Sequence, residues 1–122
     1  AVWRSELRSE HAPVRYWALR TLARGDAAAV PPKELHRLRD TDPSPLVQIT
    51  AAKLLAERGD ADASLKLLIG FLNEHPQDSV QLAAAVALRD LGDVARPALS
   101  DLEAAAKRGE YVARVSQAAL AR

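Results

Sequence analysis

Four segments of this chain repeat one pattern at a nearly constant interval. Val14 opens VRYWALRTL, Val47 opens VQITAAKLL, Val80 opens VQLAAAVAL and Val112 opens VARVSQAAL, at spacings of 33, 33 and 32 residues. A fixed period of this length marks stacked supersecondary units, none of which can bury its apolar surface alone. That constrains the fold more tightly than any short motif in the chain.

Within each copy the registers agree. Four residues after the first three valines come Ala18, Ala51 and Ala84; eight residues after all four come Leu22, Leu55, Leu88 and Leu120. Positions i, i+4 and i+8 fall on one face of an α-helix. A second apolar row lies roughly opposite: Tyr16, Leu19 and Ala23, then Ile49, Ala52 and Ala56, then Leu82 and Ala85. A helix that is apolar on two sides must be covered on both. One side is expected to meet its own partner helix and the other the neighbouring repeats. Polar residues take what remains: Arg20, Arg24, Lys53, Glu57 and Asp90.

Helix boundaries are set by the punctuation. Gly25, Gly59 and Gly92 end the first three copies, where glycine accepts a left-handed closing conformation, and Asp26, Asp60 and Asp93 come directly after them. Pro32–Leu38 reads as a short helix, and residues 61–73 and 94–107 read as fuller ones, with Pro97 in a first turn. DTDPSP and EHPQD are turns in which Asp42, Ser44 and Asp78 are expected to cap the helices that begin there. Val2, Trp3 and Leu7 suggest one more helix upstream. Leucine and alanine are abundant and aromatic residues make up only 4% of the chain, a balance that favours helix over sheet. The expectation is a single all-α domain over 1–122, a solenoid of four helix-turn-helix repeats at about 1–25, 26–59, 60–92 and 93–122.

The two ends differ. In the fourth copy Arg114 and Gln117 occupy positions that are apolar in the other three. Burying an unpaired arginine costs several kcal/mol, more than the ~1.5–3 kcal/mol gained from one large apolar side chain. That face is therefore expected to see water as a C-terminal cap. Trp3 and Leu7 leave the first repeat apolar, so this end is expected to dock on a surface outside these residues.

The stretches APVRYWALRTLARGD, ELHRLRDTDPSPLVQITAAKLLAERGD and LGDVARPALSDLEAAA resemble HEAT-like repeats. Such repeats combine an Asp/Pro turn, a Val-Arg start to the second helix, an alanine pair and a closing Gly-Asp. The resemblance implies an armadillo-like α-solenoid that acts as a scaffold or protein-interaction domain. Arg15 fits the family's basic position, which forms an inter-repeat ladder with a turn aspartate; Gln48, Gln81 and Ala113 depart from it. Asp42 is the candidate partner for Arg15. HAPVRYWALRTLARG is also similar to the non-catalytic repeat tail that comes after the catalytic domain of some bacterial sulfatases. That likeness implies an accessory C-terminal domain packed on an upstream domain of the same chain, in a periplasmic or secreted protein. Without it the expected location is the cytoplasm. The sulfatase nucleophile motif, Cys or Ser-x-Pro-x-Arg, is absent: the chain has no cysteine, and Ser44-Pro45 is succeeded by Leu-Val-Gln. The chain begins Ala-Val and holds no methionine, which suggests a piece of a larger protein whose chemistry lies elsewhere.

Catalytic chemistry finds no foothold in the residues. His11, His36 and His75 stand singly, none at a recognised metal-ligand spacing. No nucleophile elbow surrounds a serine, and no glycine-rich loop is available for phosphate. No metal, cofactor or small-molecule ligand is expected, and no apolar run is long enough to cross a membrane. The net charge of +1 is unevenly spread: residues 1–25 hold five arginines against two glutamates. Arg4, Arg8, Arg15, Arg20 and Arg24 would need to line one groove for nucleic-acid binding, and Glu6 and Glu10 interrupt that stripe. A nucleic-acid-binding HEAT-like protein and a standalone adaptor or chromophore-lyase-like repeat protein are therefore the alternatives to a docked scaffold. The candidate contact residues for a protein partner are Trp3, Arg4, Leu7, Arg8, Tyr16 and Trp17. Of these, Tyr16 and Trp17 are expected chiefly to close the rim of the core.

Overall fold

The computed structural model describes residues 2–25 and 30–107, with side chains from residue 5 onward. Within them the chain forms α1 (Val2–Leu7), α2 (Ala12–Arg24), α3 (Pro32–Thr41), α4 (Pro45–Glu57), α5 (Asp62–Glu74) and α6 (Asp78–Leu91). A 3-10 segment, Gly92–Ala98, then leads into α7 (Leu99–Ala105). The order is helix after helix, with no strand among the described residues. The second helices of the first three repeats begin at residues 12, 45 and 78, so the sequence period survives intact in the backbone. The fourth copy, with Arg114 and Gln117, lies outside the described residues.

Helix α4 shows why the repeats stack. Its Val47, Ala51, Leu54 and Leu55 belong to a core with Leu7, Ala18, Leu19, Val30, Leu35 and Leu38. Its Ile49, Ala52 and Ala56 belong to a second core built largely from α5 and α6. One helix thus closes two cores, as its two apolar rows require. Val47, Ala51 and Ala52 are fully buried, and Leu55 nearly so. The small alanines on both rows let neighbouring helices approach without leaving voids. Leu82, on the matching row of α6, is half-buried against the second core.

Position by position, the turns repeat as well. Ser9 Oγ, Asp42 Oδ1 and His75 Nδ1 each accept the backbone N–H two residues on, from His11, Ser44 and Gln77, at 3.1, 2.9 and 3.1 Å. His11, Ser44 and Gln77 are the N-cap residues of α2, α4 and α6, and none makes a side-chain cap bond of its own. The capping chemistry has moved two residues upstream, into a side chain that sets the turn. Ser44 and Asp78 therefore do not cap through their side chains as expected, while Asp42 orders the turn before α4.

Two of the three glycines close their helices as anticipated. Gly59 has φ +96° and Gly92 φ +59°. At Gly59 the N–H of Asp60 donates to Leu55 O at 2.9 Å and that of Gly59 to Ala56 O at 3.1 Å, a Schellman closure. Gly25 departs from expectation: its φ is −106°, and its N–H simply continues to Thr21 O at 3.1 Å. The 94–107 segment also differs. Pro97 has no N–H and its ring crowds the carbonyl four residues back, so regular α-helix starts only at Leu99.

These conformations yield opposite outcomes for one substitution. Gly59→Ala and Gly92→Ala are each expected to lower stability by about 1–2 kcal/mol, because alanine resists positive φ. Gly25→Ala is expected to be neutral or to stabilise by up to ~1 kcal/mol, since a Cβ there meets only Thr21 O at 3.6 Å. Urea unfolding with unchanged slope measures all three.

Candidate interaction surfaces

A polar rung crosses the junction between the first two repeats. Arg15 on α2 donates to Asp42 through Nε at 2.8 Å and Nη2 at 3.0 Å, and through Nη1 to Ser9 O at 2.8 Å. Both residues are buried, at 7% exposure each. A bidentate guanidinium–carboxylate pair with a further bond to a backbone carbonyl is the form in which burial of two charges is tolerable. The ladder partner anticipated for Arg15 is thus in place. One repeat on, Gln48 donates to Arg39 O at 2.9 Å, and at the next, Gln81 donates to His75 O at 2.7 Å. The glutamines keep the tie to their own repeat and leave out the ionic one.

A second set of polar contacts runs along the first helices. Glu34 Oε2 accepts from Arg8 at 3.0 Å across the repeat junction, and both its oxygens accept from Arg37 at 3.2 Å. The hydrogen-bonded Arg37 guanidinium, helped by the charge of Arg8, outweighs partial burial and holds the Glu34 carboxyl below its ordinary range. Between α3 and α5, buried Arg39 pairs with Asp40 at 2.8 Å and donates to Ser64 Oγ at 3.3 Å and His36 Nδ1 at 3.0 Å. Arginine can only donate, so His36 Nδ1 must be the acceptor. The imidazole proton then sits on Nε2, which faces Asp60 Oδ2 at 2.9 Å. The Arg39 bond lowers the Asp40 carboxyl below its usual range. His36 therefore helps bridge the second and third repeats, a role that its isolated position in the sequence concealed.

Of the six residues singled out for a partner, the structure brings few together. The side chains of Trp3 and Arg4 lie outside the described residues. Leu7 is fully buried in the first core and so is no contact residue, a correction explained by α1 folding back on α2. Arg8 is 60% exposed yet engaged by Glu34. Tyr16 is half-buried against the first core. Trp17 does not close the rim: it is 59% exposed, edge-on to Tyr16 at 5.6 Å between ring centroids. Arg20 lies over both rings, 5.6 Å from the Tyr16 centroid and 5.7 Å from that of Trp17, and donates to Tyr16 Oη at 2.7 Å. Of the arginines considered for nucleic acid, Arg15 is internal and Arg8 is bridged to Glu34, so they do not line one groove with Arg20 and Arg24.

Two open surfaces remain. The first is the Val14 side of α2. Val47 and Val80 are buried at their equivalent positions, whereas Val14 is 41% exposed. With Pro13, Trp17 and Leu22 it lines an open apolar hollow of about 590 Å³. The valine stripe was expected to be covered in every copy; in the first, short α1 covers only part of it. The second surface is a groove of about 470 Å³ between α2, α4 and α6. Among the described residues no cluster of acids and histidines is arranged to hold a metal ion. No helix among them is long and apolar enough to cross a membrane.

Stacked two-helix units, a repeated turn geometry and an Arg–Asp rung place the architecture. The sequence profile for HEAT repeats matches residues 32–121, well over half of the chain. The chain belongs to the HEAT-repeat family. It is thus a helical-repeat scaffold or interaction module, and HEAT domains are typically non-catalytic. No curated protein and no solved structure matches it. The first repeat precedes the matched HEAT span, yet its α2 keeps the 33-residue spacing to α4.

Two outcomes test the HEAT junctions. Arg15→Ala is expected to lower stability by about 3–5 kcal/mol, because it strands a buried Asp42 carboxylate. The pair Arg15→Gln with Asp42→His, which copies Gln48 and His75, is expected to recover most of the loss in a double-mutant cycle. For Glu34 the folded carboxyl lies below its ordinary value of 4.5, so its contribution is present above that pH and fades as pH falls through the lowered value. The difference in Tm between wild type and Glu34→Gln is therefore expected to be constant near neutrality and to shrink below about pH 4.5.

Proposed function

We propose that this domain is a non-catalytic scaffold that docks through the Val14 side of α2 onto another protein surface, in the first instance an upstream domain of its own chain. The observation that carries this reading is the contrast between Val14 and its equivalents. Val47 and Val80 are buried with a preceding repeat beside them, whereas Val14, flanked only by short α1, is 41% exposed. Trp17 beside it adds a large, rigid, exposed ring, the residue type that most often anchors a protein interface. The patch suits the docking expected of the N-terminal end, carried by Val14, Trp17 and Leu22 rather than by Leu7.

The specific form of this proposal is an accessory C-terminal domain of a sulfatase-like hydrolase. It rests on the likeness of HAPVRYWALRTLARG to such tails. In that setting the repeats brace the catalytic domain and contribute no reacting group. The HEAT architecture supports a bracing role, because a stacked core transmits load along the superhelix without a hinge at each repeat.

In a parent protein carrying these repeats, Val14→Asp with Trp17→Ser is expected to separate the domain from its neighbour. Limited proteolysis between the two is expected to become severalfold faster, while the unfolding midpoint of the 122-residue chain alone hardly moves. Unchanged protease resistance in the double variant overturns the docking proposal. An upstream domain with the Cys or Ser-x-Pro-x-Arg motif supports the sulfatase form, and an upstream domain of other chemistry overturns it.

A further inference from the structure

The groove between α2, α4 and α6 lies on a different face from the Val14 stripe, and its charges are ordered. The 33-residue period aligns its rows: Arg20, Lys53 and Val86 form one, and Arg24, Glu57 and Asp90 another. Cations therefore gather at the α2 end and the acids lie toward α6. Between them the floor is apolar, with Leu46 at 42% exposure and Leu82 half-buried.

The cationic end is both available and oriented. Among the described residues no carboxylate pairs with Arg20, whose guanidinium is fixed by Tyr16 Oη at 2.7 Å and by the two rings beneath it. Pre-orientation of this kind reduces the entropy lost when a ligand binds. Lys53 meets Glu57 only at 3.7 Å, a loose exposed pair that a better-placed carboxylate can replace. At the other end, on α6, Asp90 supplies the acid and is shared with its neighbour Arg89 at 3.0 Å, an exposed pair of the same replaceable kind.

We propose that this groove binds an acidic amphipathic segment of a partner protein, with its carboxylates on Arg20, Arg24 and Lys53 and an apolar side chain over Leu46, Leu82 and Val86. This deepens the interaction-module reading and rests on it, but at a surface separate from the N-terminal docking face. Nucleic acid is a poor occupant, because its uniform negative charge would meet Glu57 and Asp90. A polypeptide can change sign along its length. Packed helices stand about 8–10 Å apart, so the two ends of the groove are separated by roughly 20 Å. An extended peptide spans that in about six residues. The fitting segment therefore carries acids at one end, a leucine or similar anchor in the middle, and a base about six residues from the acids.

The test titrates the full 122-residue chain with a fluorescein-labelled dodecapeptide of that pattern: two glutamates, a central leucine and a lysine six residues on. Saturable binding that weakens as salt rises is expected. Arg20→Ala with Lys53→Ala, at surface positions that leave both cores intact, is expected to weaken it at least tenfold. Asp90→Lys is expected to weaken the lysine-bearing peptide and to spare its lysine-to-alanine counterpart. Thermal melting of each variant shows that the fold is retained. Absence of binding, binding indifferent to the Arg20 and Lys53 changes, or equal affinity for a single-stranded DNA dodecamer overturns the proposal. Val14→Asp is expected to leave peptide affinity unchanged, so failure at the groove and failure at the N-terminal face read out separately.

Discussion

The whole arrangement depends on a helix that is apolar on two sides. Such a helix cannot exist alone in water, and one partner does not satisfy it. Helix α4 resolves the difficulty by giving Val47, Ala51 and Leu55 to one core and Ile49, Ala52 and Ala56 to the next. Burial of the larger members of these rows is worth ~1.5–3 kcal/mol each, well above what any single surface contact supplies. The superhelix is the consequence: α4 is at once the end of one core and the beginning of the next. Cohesion between repeats is then of the same kind as cohesion within a repeat, and the domain has no obvious internal seam.

Polar groups are arranged around that constraint. The side chains at positions 9, 42 and 75 do one job, ordering the turn ahead of the second helix, with a hydroxyl, a carboxylate and an imidazole. The job needs only an acceptor near the N–H two residues on, so three different chemistries serve. What each can do beyond that differs. Asp42 alone also receives the guanidinium of Arg15 from the preceding repeat. The serine and histidine lack the charge to do so, and the glutamines at 48 and 81 are correspondingly neutral.

Much of this is legible in the sequence because the period is long and the residue classes recur. All-α stacking and the two-sided second helices can be read from spacing and residue type, whereas the Arg15–Asp42 pair is implied by the resemblance to HEAT-like repeats. The departures have local causes. Gly25 resembles a left-handed helix end because glycine usually serves there, but the backbone at that point does not require it. Pro97 displaces a helix start that periodicity alone would place earlier. Leu7 looks like a surface residue because a short helix gives too few positions to reveal which face turns inward. Val14 looks like a core residue because repeats two and three bury Val47 and Val80, and Trp17 looks like a rim residue beside it; sequence alone does not say whether a neighbour covers the first copy. The bridging role of His36 carries no sequence signal, since it arises from the meeting of α3 with the turn before α5.

Near-identical building blocks pose a hazard: the wrong block can be chosen as neighbour, giving a misassembled or exchanged stack. Alanine- and leucine-rich surfaces discriminate weakly among such errors, because one oily face resembles another. The single buried guanidinium on α2 changes the odds. Seated against a block whose turn carries histidine or serine instead of Asp42, Arg15 would be left as an uncompensated interior charge. One ionic contact thus acts as a register key, penalising mispairing between copies that the hydrophobic stripes alone would tolerate.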